Sequence, residues 1–236
     1  MGMFKKEYVS EAFVAAVPII LGYVAIGIPC GLLASSIGLN WLQVLLMCLL
    51  FYSGAGQFMI PNMFLAGSPL SSIVASVSFV NTRQMLYSAS LAPYCEKTKR
   101  PLSFLFAATV TDESFGVSMA RFEEGNWSVE RATWVNLFSQ TSWTLSNVLG
   151  AIAGGLIDVP LSIASFAMTS IFICLMCTQK MVPENIVAMM FAMLGVCLCK
   201  VVGLSGPAIL LGAIVGVVVA SIFVSVRGTG ARDDMV

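Results

Sequence analysis

The sequence predicts an all-α polytopic membrane protein with about eight (seven to eight) transmembrane helices, some of them broken, and a re-entrant segment as an alternative to one crossing. Hydrophobic residues occupy 58% of the 236 positions and charged residues only 10%, whereas a soluble domain is roughly 25% charged. The apolar residues also form runs long enough to cross the roughly 30 Å hydrocarbon core of a bilayer. Residues 1–236 are therefore treated as a single transmembrane domain.

The composition also excludes several classes of function. The formal net charge is zero and the charges are thinly spread, which argues against nucleic-acid binding. Histidine is absent, so histidine-ligated zinc and Ser-His-Asp catalysis are excluded. Seven cysteines, mostly inside apolar runs, argue against a disulfide framework. Cys174 and Cys177 are interpreted as small helix-packing residues rather than a redox pair. The sequence therefore predicts that the protein is not an enzyme and that it has neither a metal site nor a cofactor.

Eight apolar segments account for the predicted spans. They lie at about 12–35, 41–64, 70–93, 102–120, 132–157, 161–178, 184–202 and 207–226. The first lacks a small-residue cleavage site, which favours a retained helix over a signal peptide. The last two are short and are joined by 203–207, so seven crossings or a re-entrant pair are also compatible with the pattern.

The basic residues predict the orientation. With eight crossings, the side that holds the N-terminus would carry Lys5, Lys6, Arg121, Arg131, Lys180, Arg227 and Arg232. Because basic loops remain inside, this bias favours cytoplasmic termini. The basic cluster from Lys97 to Arg100 opposes that orientation, and a re-entrant second or third segment would resolve the conflict. Trp41 and Trp127 suit interfacial positions.

The first two segments contain residues that break or thin a helix. The first carries Pro29, where a kink is expected, and a Gly27-x-x-x-Gly31 packing face. The second contains FYSGAGQF at 51–58, which predicts an unwound point around Ser53 to Gln57 that could present backbone groups to a substrate. The glycines could equally serve only to let a neighbouring helix approach.

The third segment carries an arginine close to the predicted bilayer midplane. A central arginine costs roughly 2.5–3.5 kcal/mol even on lenient scales, so it needs a partner or a water-filled cavity. At about 100° per residue, Arg83 shares a face with Tyr87, while Asn81 lies nearly opposite. We expect this helix inside a bundle with its charge partner at Asp112 or Glu113. A pair that only fixes helix packing is the alternative.

The fourth and fifth segments supply the remaining polar residues. Asp112 and Glu113 point about 100° apart on a helix, so one could pair with Arg83 while the other carries a proton. The fifth segment has a polar and glycine stripe at helical spacing, formed by Asn136, Gln140, Trp143, Asn147, Gly150 and Gly154. This stripe is either a helix-contact seam or a substrate wall. The last three segments are interpreted as scaffold with a Gly212-x-x-x-Gly216 face.

Three linked stretches resemble the signature motifs of the AzlC-type branched-chain amino acid permease family. They are FYSGAGQF, Asn81-x-Arg83 followed by LYSASLAPY, and Thr111-Asp112-Glu113-x-Phe115. The opening PIILGYVAIGIPCGLLA is also similar, so the resemblance covers about the first 150 residues in order. One departure is Gln84, near which family members often carry histidine. This departure leaves any proton role to the acids.

The resemblance implies a secondary transporter subunit that exports branched-chain or other small apolar amino acids across the bacterial inner membrane. It also implies a small AzlD-type membrane subunit as partner, and the polar stripe and glycine faces offer contact surface for one. Proton coupling is expected.

The predicted site combines the breaks and the charged residues. The substrate-binding residues are predicted to be Ser53, Gly54, Gly56, Gln57, Phe58, Asn81, Arg83, Tyr87, Trp143 and Asn147. The ion pair or proton-coupling group is predicted to be Arg83, Asp112 and Glu113. An ion channel would use the same breaks and polar helices, and a sensor that does not transport is a further alternative.

Overall fold

The computed structural model describes residues 6–125, 127–156, 166, 169, 170, 173, 182–203 and 208–233. Within these residues every regular element is an α-helix, so the all-helical prediction is confirmed for this part of the chain. The helices are α1 (Lys6–Ser36), α2 (Trp41–Leu50), α3 (Gly54–Leu65), α4 (Leu70–Cys95), α5 (Arg100–Ala108), α6 (Asp112–Glu123), α7 (Val129–Gly154), α8 (Pro183–Val201) and α9 (Ala208–Asp233).

The chain divides into two compact units. The first comprises Met1–Ala66 and Val80–Ser170, and the second comprises Gly67–Phe79 and Ile171–Val236. Of the described helices, α1 and α8 are long and apolar enough to cross a membrane, while α2 and 211–225 are shorter apolar stretches. Most of the sixth predicted segment, together with Cys174 and Cys177, lies outside the described residues.

The second predicted segment is two helices rather than one. Helix α2 ends at Leu50, with Phe51 as its C-cap, and α3 begins after the N-cap residue Ser53. The Ser53 hydroxyl accepts a hydrogen bond from Gly56 N at 3.2 Å. The break is therefore at 51–53, and the expectation of an unwound stretch continuing to Gln57 is wrong. The physical reason is that serine is a strong N-cap, so helical geometry resumes directly after it. A Cβ at Gly56 would lie 2.8 Å from the Phe51 ring, so the break requires this glycine.

The fourth predicted segment is also two helices, which the sequence analysis did not anticipate. Helix α5 ends at Ala108, and α6 begins after Thr111, which forms a capping box with Ser114. Asp112 and Glu113 occupy the first turn of α6, where negative charge is stabilised by the partial positive charge of a helix N-terminus. A threonine followed by two acids is a helix-start signal that could have revealed this break.

Helices α1 and α7 form a close seam. A Cβ at Gly31 would collide with the backbone oxygen of Asn147, and a Cβ at Gly150 would collide with that of Ile28. Helix α1 continues through Pro29. The C-terminal part of the α7 stripe, from Asn147 onward, is thus a helix-contact seam.

The second broken segment, α5–α6, also shares an apolar core with α4 and α7. Its buried members are Leu91, Phe106, Val110, Phe122, Val129 and Ala132. Tyr87 of α4 stacks on Phe115 of α6 with ring centroids 4.6 Å apart, and Tyr94 stacks on Phe122 at 4.4 Å. These contacts direct the arginine-bearing face of α4 towards α6.

The second unit contains a glycine-lined pair of helices. A Cβ at Gly195 of α8 would lie 3.0 Å from the Cα of Gly212 of α9, and a Cβ at Gly216 would lie 2.8 Å from Ala192 Cβ. The predicted Gly212-x-x-x-Gly216 face is therefore in contact with α8. Helix α8 has no buried residue among those described.

The glycine seam predicts a strong effect of a single methyl group. Gly31→Ala should lower the free energy of unfolding by about 1–3 kcal/mol because it overpacks the α1–α7 contact. Gly22→Ala is the matched control, since a Cβ there would meet nothing within 4 Å. Thermal melting in detergent measures both. Equal melting temperatures for the two variants would contradict the seam.

Candidate functional site

Helix α4 makes a polar contact with each helix break. At the first break, Ser53 Oγ donates to Asn81 Oδ1 at 2.5 Å, and Gln84 Nε2 donates to Tyr52 O at 3.3 Å. At the second, Arg83 Nη1 lies 2.7 Å from Asp112 Oδ2. The two breaks are thus connected through one turn of α4, and we refer to this region as the junction.

The ion pair at the junction neutralises the charge of Arg83. The Arg83 and Asp112 side chains are 30% and 20% exposed. Asp112 is also the first residue of α6, so the helix N-terminus adds to the stabilisation of its carboxylate. Arg83 Nε is buried and has no hydrogen-bond partner among the described residues, which leaves one donor for a further acceptor.

The second acid is held by a tyrosine of α1. Tyr23 Oη donates to Glu113 Oε2 at 2.7 Å and lies 2.8 Å from Thr111 Oγ1. The hydroxyl of Tyr52 lies near Tyr23 and Thr111, yet it is buried without a hydrogen bond of standard geometry in the described part of the chain. Asp112 and Glu113 therefore have different partners.

Helix α7 supports both breaks with residues two turns apart. Trp143 Nε1 donates to Gln57 Oε1 at 2.7 Å. Gln57 Nε2 donates in turn to the carbonyl oxygen of Phe51, the C-cap of α2, at 2.6 Å. Asn136 Nδ2 donates to Phe106 O at 3.1 Å, near the end of α5. Each break thus has a side-chain amide that adds a hydrogen bond to a carbonyl group near the end of the preceding helix.

The predicted substrate residues fall into separate groups. Ser53, Gly54, Asn81 and Arg83 lie at the junction. The side chains of Gln57, Phe58 and Trp143 are at most 1% exposed. They form an interior layer, in which Phe58 and Trp143 have ring centroids 6.4 Å apart.

The remaining predicted residues have neighbours of their own. Gly56 packs against the Phe51 ring, and Tyr87 stacks on Phe115. Asn147 is fully buried in the α1–α7 seam, and its amide donates to Trp143 O at 2.9 Å. The structure therefore does not bring Asn147 to the junction.

Three residues that complete the junction were missed in the sequence analysis: Tyr23, Tyr52 and Thr111. Tyr23 gives no signal, because a tyrosine within an apolar run is also common in ordinary helix packing. Tyr52 lies inside the FYSGAGQF stretch and Thr111 inside a helix-start pattern, so the local sequence could have drawn attention to these two.

Comparison with known proteins assigns the family. The AzlC protein family model matches residues 18–157, which is more than half of the chain. The chain belongs to the AzlC family. The matched range contains both breaks, the α4 polar residues and the α7 stripe, so the whole junction lies within the part that defines AzlC proteins.

The chain is similar to two proteins that are named membrane proteins and to one that is named a transport protein. An uncharacterized membrane protein of Helicobacter pylori is 29% identical over 76% of this chain and 78% of its own length. The inner membrane protein YgaZ of Escherichia coli is 30% identical over 59% of this chain and 58% of its own. The branched-chain amino acid transport protein AzlC of Bacillus subtilis is 26% identical over 72% of this chain and 67% of its own. No solved structure matches the chain.

The ion pair predicts measurable coupling between its partners. In a double-mutant cycle of Arg83→Gln and Asp112→Asn, the interaction energy should be about 1–2 kcal/mol, because each single variant leaves a charge without its partner. The control is the exposed pair formed by Arg121 and Glu124, 3.1 Å apart, for which coupling should be below about 1 kcal/mol. Unfolding in detergent measures both cycles. Additive effects at Arg83 and Asp112 would show that the pair is not energetically linked.

Proposed function

We propose that this AzlC-family chain is the large subunit of a secondary transporter that exports branched-chain or other small apolar amino acids across the bacterial inner membrane. The Bacillus subtilis relative is named a branched-chain amino acid transport protein. The observation that carries the proposal is that one turn of α4 connects two helix breaks, through Asn81 and Gln84 at the first and through the Arg83–Asp112 pair at the second. Broken helices at membrane depth are where transporters bind substrates.

The junction offers donors for the substrate carboxylate. Arg83 Nε and Tyr52 Oη are buried without partners among the described residues. The backbone amides of Gly54 and Ala55 lie at the N-terminus of α3, which favours an anionic group. In our proposal Arg83 alternates between Asp112, which closes the site, and the carboxylate of the amino acid.

The apolar side chain of the substrate would lie against the aromatic layer below the junction. A Cβ at Gly54 would be 3.7 Å from the Trp143 ring, so glycine leaves room for about one methyl group there. Phe58, whose ring centroid lies 6.4 Å from that of Trp143, extends this apolar surface, and Tyr87 is proposed to contact the substrate from α4. Because the layer is closed in this structure, a branched side chain requires the helix halves to separate. This requirement agrees with an alternating-access cycle.

Glu113 is proposed to carry the coupled proton. Arg83 and Asp112 compensate one another, so an ionised Glu113 leaves the junction with a net negative charge that protonation would remove. Moving a compensated site through hydrocarbon is much less costly than moving a charged one. Tyr23 keeps Glu113 in place, 2.7 Å away, without neutralising it.

A small AzlD-type membrane subunit is proposed as the partner. The α7 stripe does not support it, because Asn136, Trp143 and Asn147 are buried within this chain. Better support comes from α4, where Ser78 and Ser90 are exposed although they lie in a predicted span. Polar side chains in a span face protein or water. We further propose about eight crossings with cytoplasmic termini.

Efflux from proteoliposomes tests the function. Wild-type chain reconstituted with the small subunit should release labelled leucine, and Arg83→Gln should reduce the rate by at least about ten-fold, since it removes a charge-assisted contact. Arg100→Gln, at the exposed start of α5, is the control. Leucine-independent ion flux through the wild type would instead indicate a channel. Full efflux from the chain alone would remove the partner from the proposal and leave transport intact.

Proton coupling predicts a separable defect. Glu113→Gln should abolish acceleration of leucine efflux by an imposed pH gradient while leucine–leucine exchange continues, because the amide keeps the hydrogen bond from Tyr23 and cannot change charge. Glu123→Gln, at the exposed end of α6, serves as the control. A pH-gradient response that is unchanged in Glu113→Gln would refute the proton role.

A further inference from the structure

A cavity with four charged side chains in its wall lies away from the junction, where the ends of three helices meet. It has a volume of about 510 Å³ and is lined by Ser10, Glu11, Val14, Arg121, Glu124, Trp127 and Arg131. These residues come from the beginning of α1, the end of α6 with the loop that follows, and the beginning of α7. The transport mechanism proposed above uses none of them.

Two arginines and a tryptophan provide donors in this cavity. The Cζ atoms of Arg121 and Arg131 lie 5.5 and 5.6 Å from the centroid of the Trp127 ring. Trp127 Nε1 is buried and has no hydrogen-bond partner among the described residues. The guanidinium of Arg121 has five N–H donors, more than the carboxylate of Glu124 can accept. The wall therefore has capacity for an additional anionic group.

Two carboxylates balance these cations. Arg131 Nε lies 2.7 Å from Glu11 Oε2, and Arg121 Nη1 lies 3.1 Å from Glu124 Oε2. The four charges sum to zero, so a purely anionic ligand would be repelled by the acids as much as it is attracted by the arginines. A ligand with one phosphate and one primary ammonium group satisfies both sets.

The position of the cavity indicates where such a ligand comes from. Val14, on its wall, is 67% exposed and lies two turns into the apolar helix α1, while Tyr8 and Trp127 are aromatic residues of the kind found at membrane interfaces. The Tyr8 ring lies 4.2 Å from Arg131 Cζ. The cavity thus combines a polar wall with an exposed apolar edge, as a headgroup site requires.

We propose that this cavity binds the headgroup of an aminophospholipid. The phosphate contacts Arg121 and the Trp127 indole N–H, the primary ammonium donates to Glu11 and Glu124, and an acyl chain follows Val14. A trimethylated headgroup fits less well because it cannot donate hydrogen bonds to the carboxylates, and the indole ring already contacts two cations. An anionic headgroup without an amine is repelled by the carboxylates of Glu11 and Glu124.

Native mass spectrometry of the full chain with phosphatidylethanolamine, phosphatidylcholine and phosphatidylglycerol of identical acyl chains tests the site. Phosphatidylethanolamine should be retained preferentially. Arg121→Gln should reduce its retention about ten-fold, as expected for loss of a charge-assisted hydrogen bond. Trp127→Phe keeps an aromatic ring and should reduce retention by removing the N–H. Arg100→Gln, outside the cavity, should retain wild-type binding.

Three outcomes would overturn the proposal. The first is equal retention of the three lipids by the wild type. The second is unchanged retention in both Arg121→Gln and Trp127→Phe, with circular dichroism and lipid-free melting showing that the variants are folded. The third is displacement of the lipid by millimolar phosphoethanolamine or leucine, which would indicate a site for a soluble zwitterion instead.

Discussion

The arrangement of the first unit depends on one constraint, the placement of Arg83 in the middle of α4, a helix that we propose crosses the membrane. Its guanidinium needs a partner within a few ångströms, and Asp112 provides it at 2.7 Å. Asp112 can do so because α6 begins there, which places the carboxylate at a helix N-terminus facing α4. The charge on one helix and the break in another are therefore two parts of the same solution.

Helix α7 supports both helix breaks through side-chain hydrogen bonds. Asn136 and Trp143 lie on one face, two turns apart. Asn136 donates to Phe106 O near the second break, and Trp143 donates to the side chain of Gln57, which donates in turn to Phe51 O at the first break. Further along the same helix, Gly150 allows α1 to approach within backbone contact. Helix α1 also carries Tyr23, which donates a hydrogen bond to Glu113. Movement of the α1–α7 seam would therefore displace Tyr23 and change the surroundings of Glu113, the acid that we propose carries the proton. Binding and coupling would then be linked through a single helix pair.

Much of this could be predicted from the sequence, and the failures have physical causes. Arg83 and the acids were found because a charge in an apolar run has few explanations. The first break was displaced by about three residues because glycines were weighted above the serine N-cap. The second break was missed because Thr109 to Thr111 are compatible with a continuous apolar helix. The hydrogen bond between Trp143 and Gln57 was not predicted, because periodicity identifies a polar face without identifying its neighbour.

The central claim is that the junction of the two breaks and α4 binds an amino acid through Arg83. Equilibrium binding of radiolabelled leucine to the purified protein tests it most directly, because binding does not depend on coupling or on the rate of turnover. The account predicts saturable binding to the wild type and to Arg100→Gln, and affinity at least about ten-fold weaker for a folded Arg83→Gln variant. Leucine affinity that is the same in Arg83→Gln and in the wild type would contradict it.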